Sequence, residues 1–256
     1  MNLPLIGRGI LITRPIEQTE ILANEIREAG GEAIIFPAMQ IVPHESEALA
    51  RCIARLPTYD AAIFISPNSA RHGLATIDAQ HAWPEHVRVY ALGPGTARAL
   101  KQQGLLKVIQ PDGQDTEALL ALPSLHAVTN QRIVVFRGVG GRELLADTLR
   151  ARGAMVEYAE CYRRLRPDSD ARPIIQRWSR GDIHAVTVNS AETLHNLASM
   201  LGEAGTPLLR TTPVFAPHEK IAQSARAMGI EQVIATAGGD AGLLDGLITW
   251  FQRMHE

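Results

Sequence analysis

Cysteine is nearly missing from this 256-residue sequence: Cys52 and Cys161 are the only two, and they stand alone. That spacing excludes a disulfide framework and a cysteine metal site; reduced thiols in a cytoplasmic chain are expected. Neither sign of charge prevails, because 25 Lys and Arg meet 27 Asp and Glu for a net charge of −2. Without a basic field, nucleic acid is not expected as a partner. No apolar stretch approaches the ~20 residues of a membrane span, so no membrane association is expected. The opening MNLPLIGRGILITRP is not expected to be a signal peptide, since its apolar run is short, Arg8 interrupts it and Arg14 follows.

Cofactor signatures are also missing. There is no P-loop, G-x-S-x-G elbow, H-E-x-x-H or C-x-x-C, and the nine histidines form no ligand spacing. GPGTAR (93–98) and GVGGRE (138–143) both begin as G-x-G, but their sixth residues are Arg98 and Glu143. A dinucleotide fingerprint needs glycine there for close helix packing, so a Rossmann cofactor site is rejected. No metal site is expected from these spacings.

What the chain does have is alternation. Short runs rich in Val and Ile occupy residues 9–13, 33–36, 61–65, 87–92, 107–110, 132–136, 155–159, 183–188, 213–216 and 231–235. Their lack of polar alternation suits parallel strands covered on both faces, and the helical patterns between them give the βαβ signature of an α/β fold. The clearest helical pattern runs over 17–29, with Ile21, Leu22, Ile26 and Ala29 on one face and Gly30–Gly31 as its stop.

One phrase is written twice. AAIFISPNSARHGL (61–74) answers to HAVTVNSAETLHNL (184–197), and GILITRP (9–15) to RIVVFRG (132–138), so that Arg14 and Arg137 lie 123 positions apart. Gly30 and Gly153 keep that offset, whereas Gly104 and Gly229 stand 125 apart. The chain is therefore a duplicated α/β unit of roughly 120 residues, one domain in size. Two five-stranded sheets can be built by joining the first strands of each half to the later strands of the same half or of the other half. Linker composition favours the exchanged pairing: PAMQIVPHES (37–46) and CYRRLRPDSDARP (161–173) are long and proline-bearing, which restricts the residues before each proline to extended geometry. The expectation is two doubly wound, parallel-sheet, flavodoxin-like domains, 1–37 with 167–256 and 44–160. A two-stranded β connector, 38–43 and 161–166, joins them.

Small polar residues cluster where strands turn into helices, around Ser66–Asn68, Gly93–Thr96, Gly113–Thr116, Arg137–Gly140, Asn189–Ser190, His218 and Gly238–Asp240. Helix capping accounts for most of them. Yet the carboxyl ends of parallel strands are where open α/β sheets bind ligands, and free helix-start N–H groups attract anions. On domains facing a common cleft, such turns suit a large ligand with many negative groups.

These residues resemble the uroporphyrinogen-III synthase family over essentially the whole chain. The carriers are IFISPNSA (63–70), VYALGPGTARAL (89–100), DTEALL (115–120), the R-G-x-x-G-R turn (137–142), the YAECYR segment (158–163), and the weaker TVNSAETL and APHEKIA. The chain departs from the commoner pattern at Asn189 and His218. The resemblance implies a cofactor-free enzyme acting on hydroxymethylbilane, a linear tetrapyrrole with eight carboxylates, and transient contact with the preceding pathway enzyme; a cytoplasmic monomer is expected from the reduced thiols and the lack of an exposed apolar stripe. Water is lost, ring D is inverted and uroporphyrinogen III forms. By analogy Tyr162 points into the cleft as the acid on the departing hydroxyl, with an aromatic hinge plug as the equal alternative. Ser66, Asn68, Gly93, Thr96, Gly138, Ser190 and His218 are candidate carboxylate-binding positions. Arg14 and Arg137 pair either with substrate or with neighbouring carboxylic side chains. Two other readings remain open: a two-domain protein that clamps an anionic metabolite without chemistry, and a nucleotide-sugar transferase, for which the chain is short and lacks a diphosphate pattern.

Overall fold

The structure, a computed structural model, describes residues 3–77 and 83–254. Every one of the ten strand-like runs contains a strand: β1 (Gly9–Ile12), β2 (Glu32–Ile35), β4 (Ala61–Phe64), β5 (Arg88–Ala91), β6 (Val108–Ile109), β7 (Arg132–Gly138), β8 (Met155–Leu165), β9 (Ala185–Thr187), β10 (Val214–Ala216) and β11 (Val233–Ala235). One more, β3 (Gln40–Pro43), forms in the proline-bearing linker, and β8 runs unbroken through what composition divided into a strand and a connector.

The strands form a five-stranded sheet, β11-β10-β9-β1-β2, and a six-stranded sheet, β3-β8-β7-β4-β5-β6. The sheets are thus not both five-stranded, because β3 adds itself beside β8. The first two strands of the chain join the last three, and β7 and β8 join β4, β5 and β6. Counted from β1 and from β7, the five repeated strands of each sheet lie in the order 2-1-3-4-5, one sheet being a circular permutation of the other. The ladders β1–β2, β1–β9, β9–β10 and β10–β11 are parallel, as are β4–β5, β4–β7, β5–β6 and β7–β8. The chain divides into two compact units, 1–40 with 165–256, and 41–164.

Within the first unit, alternate strand residues serve two cores. Leu11, Val186, Val188, Val214 and Ala216 pack against α7 (Arg172–Ser179), α8 (Ala191–Thr211, broken at Gly202) and α9 (Glu219–Ala227). Ile10, Ile12, Ala185 and Phe215 pack on α1 (Glu20–Glu28) and α10 (Gly239–Arg253). The second unit repeats this. Ala62, Phe64, Val134 and Phe136 face α2 (Glu47–Ala54), α3 (Pro67–Ala75) and α4 (Pro94–Gln102). Ala61, Ile63, Ile133 and Val135 face α5 (Thr116–Leu120) and α6 (Leu144–Ala151). Both sheets are therefore covered on both faces, which is why their strands carry no polar alternation.

The duplication survives in backbone geometry. Gly30 and Gly153 hold φ of +88° and +86°, a left-handed conformation that favours glycine. In each, the glycine N–H bonds to the carbonyl three residues back, and the next N–H reaches back five, to Ile26 and to Leu149. This double bond closes the helix end. The first helix departs from its expected face: α1 starts at Glu20, its buried stripe is Leu22, Ala23 and Ile26, and Ile21 is 64% exposed. One helical step of 100° carries Ile21 off that stripe.

In the second unit Phe136 and Phe64 stack with centroids 4.4 Å apart. Phe136→Ala is expected to lower the unfolding free energy by about 3–5 kcal/mol in urea denaturation.

Candidate functional site

The strand order of the second unit reverses between β7 and β4, the place where an open α/β sheet forms a crevice at its carboxyl edge. From β4 the chain enters α3 through Ser66. Its Oγ accepts the Ser69 N–H at 3.0 Å, and Ser69 Oγ returns a bond from the Ser66 N–H, a reciprocal cap. From β7 the chain leaves through Gly138.

Between them stands Tyr162. The β7–β8 ladder pairs Arg137 with Glu160 but Gly138 with Tyr162, so Cys161 has no partner and β8 bulges. The ring of Tyr162 lies directly over Gly138, where an added Cβ would come within 2.8 Å of Cε2 and Cζ. Its hydroxyl is 3.2 Å from Ser66 Oγ. Either hydroxyl can donate to the other, and in the arrangement where Ser66 donates to Tyr162 the phenol proton is available elsewhere. The ring is 1% exposed, so Tyr162 is seated in the sheet's carboxyl edge. Arg164 lies over it at 5.8 Å, and the His72 ring sits at 5.7 Å.

Tyr162, Arg137 and Gly138 line a cavity of about 410 Å³ together with Tyr158, Arg142, Arg164, Gln114, Thr116 and the glycines of the 138–141 turn. A larger groove of about 960 Å³, bordered by α2 and α3, has a mostly apolar lining, so the smaller, more polar cavity is the better candidate. Arg137 is 2% exposed and bonds Glu143 Oε1 at 3.0 Å, while the Tyr158 hydroxyl donates to Glu143 Oε2. Those donors, Tyr158 foremost and then Arg137, hold the Glu143 carboxyl below its ordinary value. Burial, reinforced by that carboxylate, raises Tyr158.

The other expected positions, Ser66 among them, fall outside this cavity's lining. Gly93 is the N-cap of α4, and a Cβ there would touch Gln114. Thr96 is 4% exposed in the first turn of α4, and Asn68 accepts from Arg71. Arg14, Ser190 and His218 belong to the other unit. There Arg14 bonds Asp240 at 2.5 Å, Ser190 caps α8 by accepting the Thr193 N–H, and His218 begins α9 with no side-chain cap. Both repeat arginines thus pair with the protein's own carboxylates. Sequence reasoning missed Tyr158, Arg142, Glu143 and Arg164. Tyr158 and Tyr162, four apart on one strand, were the available signal.

The family model for uroporphyrinogen-III synthase HemD matches residues 20–245. Uroporphyrinogen-III synthase of Escherichia coli (strain K12) is 32% identical over 236 residues, covering 91% of this chain and 96% of the relative. The chain belongs to the uroporphyrinogen-III synthase family. The Proteus mirabilis member is 34% identical over 75% of this chain and 98% of its own length. In fold, the chain matches a crystal structure of a mutant uroporphyrinogen III synthase from Thermus thermophilus, with a TM-score of 0.64 at 18% identity over 96% and 99% of the two chains. The Helicobacter pylori 26695 synthetase gives 0.63 at 14% identity, over 95% and 99%.

In this family member, Tyr158→Phe is expected to return the Glu143 pKa toward the ordinary carboxylate range, read from its side-chain carbon shift against pH. Because the folded value is lowered, the Glu143 contacts contribute above the ordinary range and are lost as pH falls through the lowered value. The variant loses them at higher pH.

Proposed function

We propose that this chain closes linear hydroxymethylbilane with inversion of ring D, giving uroporphyrinogen III and water. The observation that carries the reading is the pairing of buried Tyr162 with half-buried Ser66 at the carboxyl edge of a sheet whose chain belongs to this family. Tyr162 gives its phenol proton to the departing hydroxymethyl oxygen. The C–O bond breaks, water leaves, and the pyrrole nitrogen's electrons yield an azafulvene cation. Ser66 donates to the phenol oxygen as negative charge develops there, and the start of α3 favours that charge. The substituted α-carbon of ring D then attacks the cation to form a spiro-pyrrolenine, which fragments and recloses in the inverted sense. The proton released on closure at the free α-position restores the phenol.

Most of the work is positioning. Unaided closure gives the non-inverted isomer, so the protein must hold a flexible polyanion in one pose, and orientation contributes about 7–11 kcal/mol in favourable cases. Exposed Arg142 and Arg164 at the cavity, with the helix-start amides near Gly93 and Thr96 of the same unit, are the carboxylate-binding groups of this reading. The finer architecture belongs to the same proposal: flavodoxin-like domains 1–37 with 167–256 and 44–160, joined by connector strands 38–43 and 161–166. The 2-1-3-4-5 strand order and the two chain crossings at residues 40–41 and 164–165 support it. Unaided closure also makes a short transfer from the preceding pathway enzyme advantageous, which favours transient contact with it.

Incubation with hydroxymethylbilane followed by separation of product isomers tests the reading. Uroporphyrinogen III is expected, and isomer I alone at the unaided rate would overturn it in favour of a binding protein. Tyr162→Phe is expected to lower kcat by about 10²-fold or more, and an unchanged kcat removes the acid role. Ser66→Ala, which leaves the phenol in place, is expected to cost less than about tenfold, within the effect of one lost hydrogen bond.

A further inference from the structure

Arg137 presents its charge to the protein and not to the cavity. Its Nε donates to the carbonyls of Gly138 at 3.3 Å and Gly140 at 3.0 Å, Nη2 donates to Gly140 again, and Nη1 donates to Glu143. The guanidinium carbon lies 4.4 Å from the centre of the Tyr158 ring. The Tyr158 hydroxyl closes the circuit on the second oxygen of Glu143. Residues 138–143 are therefore wound around a buried cation. Gly141, at φ +113°, passes so close that a Cβ would stand 2.8 Å from Arg137 Nη2. The outer face of this turn is tied to β8 on both sides of the bulge: the Gly140 N–H bonds Glu160 Oε1 at 3.1 Å and the Val139 N–H bonds the Tyr162 carbonyl at 2.8 Å.

A guanidinium committed to two carbonyls, one carboxylate and one ring face has little left for a ligand. We propose that Arg137, with Glu143 and Tyr158, is a positioning group: it fixes the main chain of the 138–143 turn as a preformed wall of the substrate cavity, beside Tyr162, and contacts no substrate itself. The role rests on the bilane-closing reading above. The physical requirement is that a glycine-rich turn loses much chain entropy on ordering. If the protein orders the turn in advance, substrate binding need not. Lysine cannot replace the fork, since it offers neither the planar donors nor the stacking face.

A preformed wall acts equally on bound substrate and transition state, so loosening it raises KM and leaves kcat alone. Glu143→Gln and Tyr158→Phe in the full chain are each expected to raise KM about tenfold with kcat within about twofold, the loss of one charge-assisted bond. The double variant is expected to be little worse than either single one, because both break the same circuit. Hydrogen exchange of the amides of residues 139–142 is expected to accelerate about tenfold, with exchange in β4 and β5 unaltered as the check that the fold holds. Arg137→Lys is expected to show both changes. A fall in kcat at constant KM overturns the proposal, since the residues would then act in the chemistry. Faster exchange with unchanged KM overturns it too. Should the wild-type chain make no uroporphyrinogen III, the bilane reading fails by itself. The exchange data then still decide whether this circuit holds the turn, and unaltered exchange overturns it.

Discussion

The candidate site depends on one extra residue in a parallel ladder. Along β8, Ala159 and Cys161 point into the core beneath α2, α3 and α4, whereas Val156 and Tyr158 belong to the opposite face with α5 and α6. A regular strand would send Tyr162 to the Tyr158 side, because side chains alternate with period two. The unpaired Cys161 breaks the phase, and Tyr162 joins the Cys161 core while facing Ser66 across the strand ends. Two tyrosines four residues apart are thus placed on opposite faces of one strand, yet both border the same cavity at its edge. Cys161 suits the bulge: it is wholly buried, its thiol is pushed up to about 12 by desolvation, and it donates weakly to the Arg137 and Ser69 carbonyls. Such a thiol packs as a small apolar residue and stays unreactive.

The duplicated units diverge where this bulge lies. Each carries an arginine at the end of its first repeated strand, within β7 for Arg137 and two residues past β1 for Arg14, and each arginine meets a carboxylate from its own unit, Asp240 for Arg14 and Glu143 for Arg137. The partner differs in place. Asp240 lies in the first turn of α10, far along the chain, and closes a contact between distant segments. Glu143 lies six residues after its arginine and closes a local turn. The shared arginine therefore reads as a device for tying down a strand-end turn, and only the second unit adds a tyrosine beneath the guanidinium and another over the following glycine.

The sequence was most legible where periodicity reports burial. Uniformly apolar runs marked all ten repeated strands because both faces of each sheet are covered, and Gly30 and Gly153 marked helix ends because their backbone must turn left-handed. Ser66 and Ser190 were readable as caps for a similar local reason. Ile21 misled, since one helical step separates a buried stripe from solvent and the true start of α1 is set by the turn before it. The bulge left no local signal: Cys161 and Tyr162 are both acceptable strand residues, and only pairing with β7 shows that one of them is surplus. Glu143 was seen and put to another use. Its side chain excluded a dinucleotide fingerprint, and the same carboxylate turns out to hold the glycine turn shut.

Charge explains how a chain of net −2 can be suited to a polyanion. Three arginines border the cavity, but the buried one is neutralised by Glu143 and counts for little beyond the turn it organises. Asp115 and Glu117 also border it, so the cavity's net field is small and the exposed Arg142 and Arg164 stand as discrete positive points in it. Attraction from such points is screened by solvent and salt and discriminates weakly among anions. In the proposed reading, selection then falls to fixed donors, main-chain N–H groups at helix starts and turns, which recognise a carboxylate only where the backbone has been set in advance. A rigid turn is in this sense a substitute for charge: it lets a nearly neutral protein grip many carboxylates without a basic surface that would bind any polyanion.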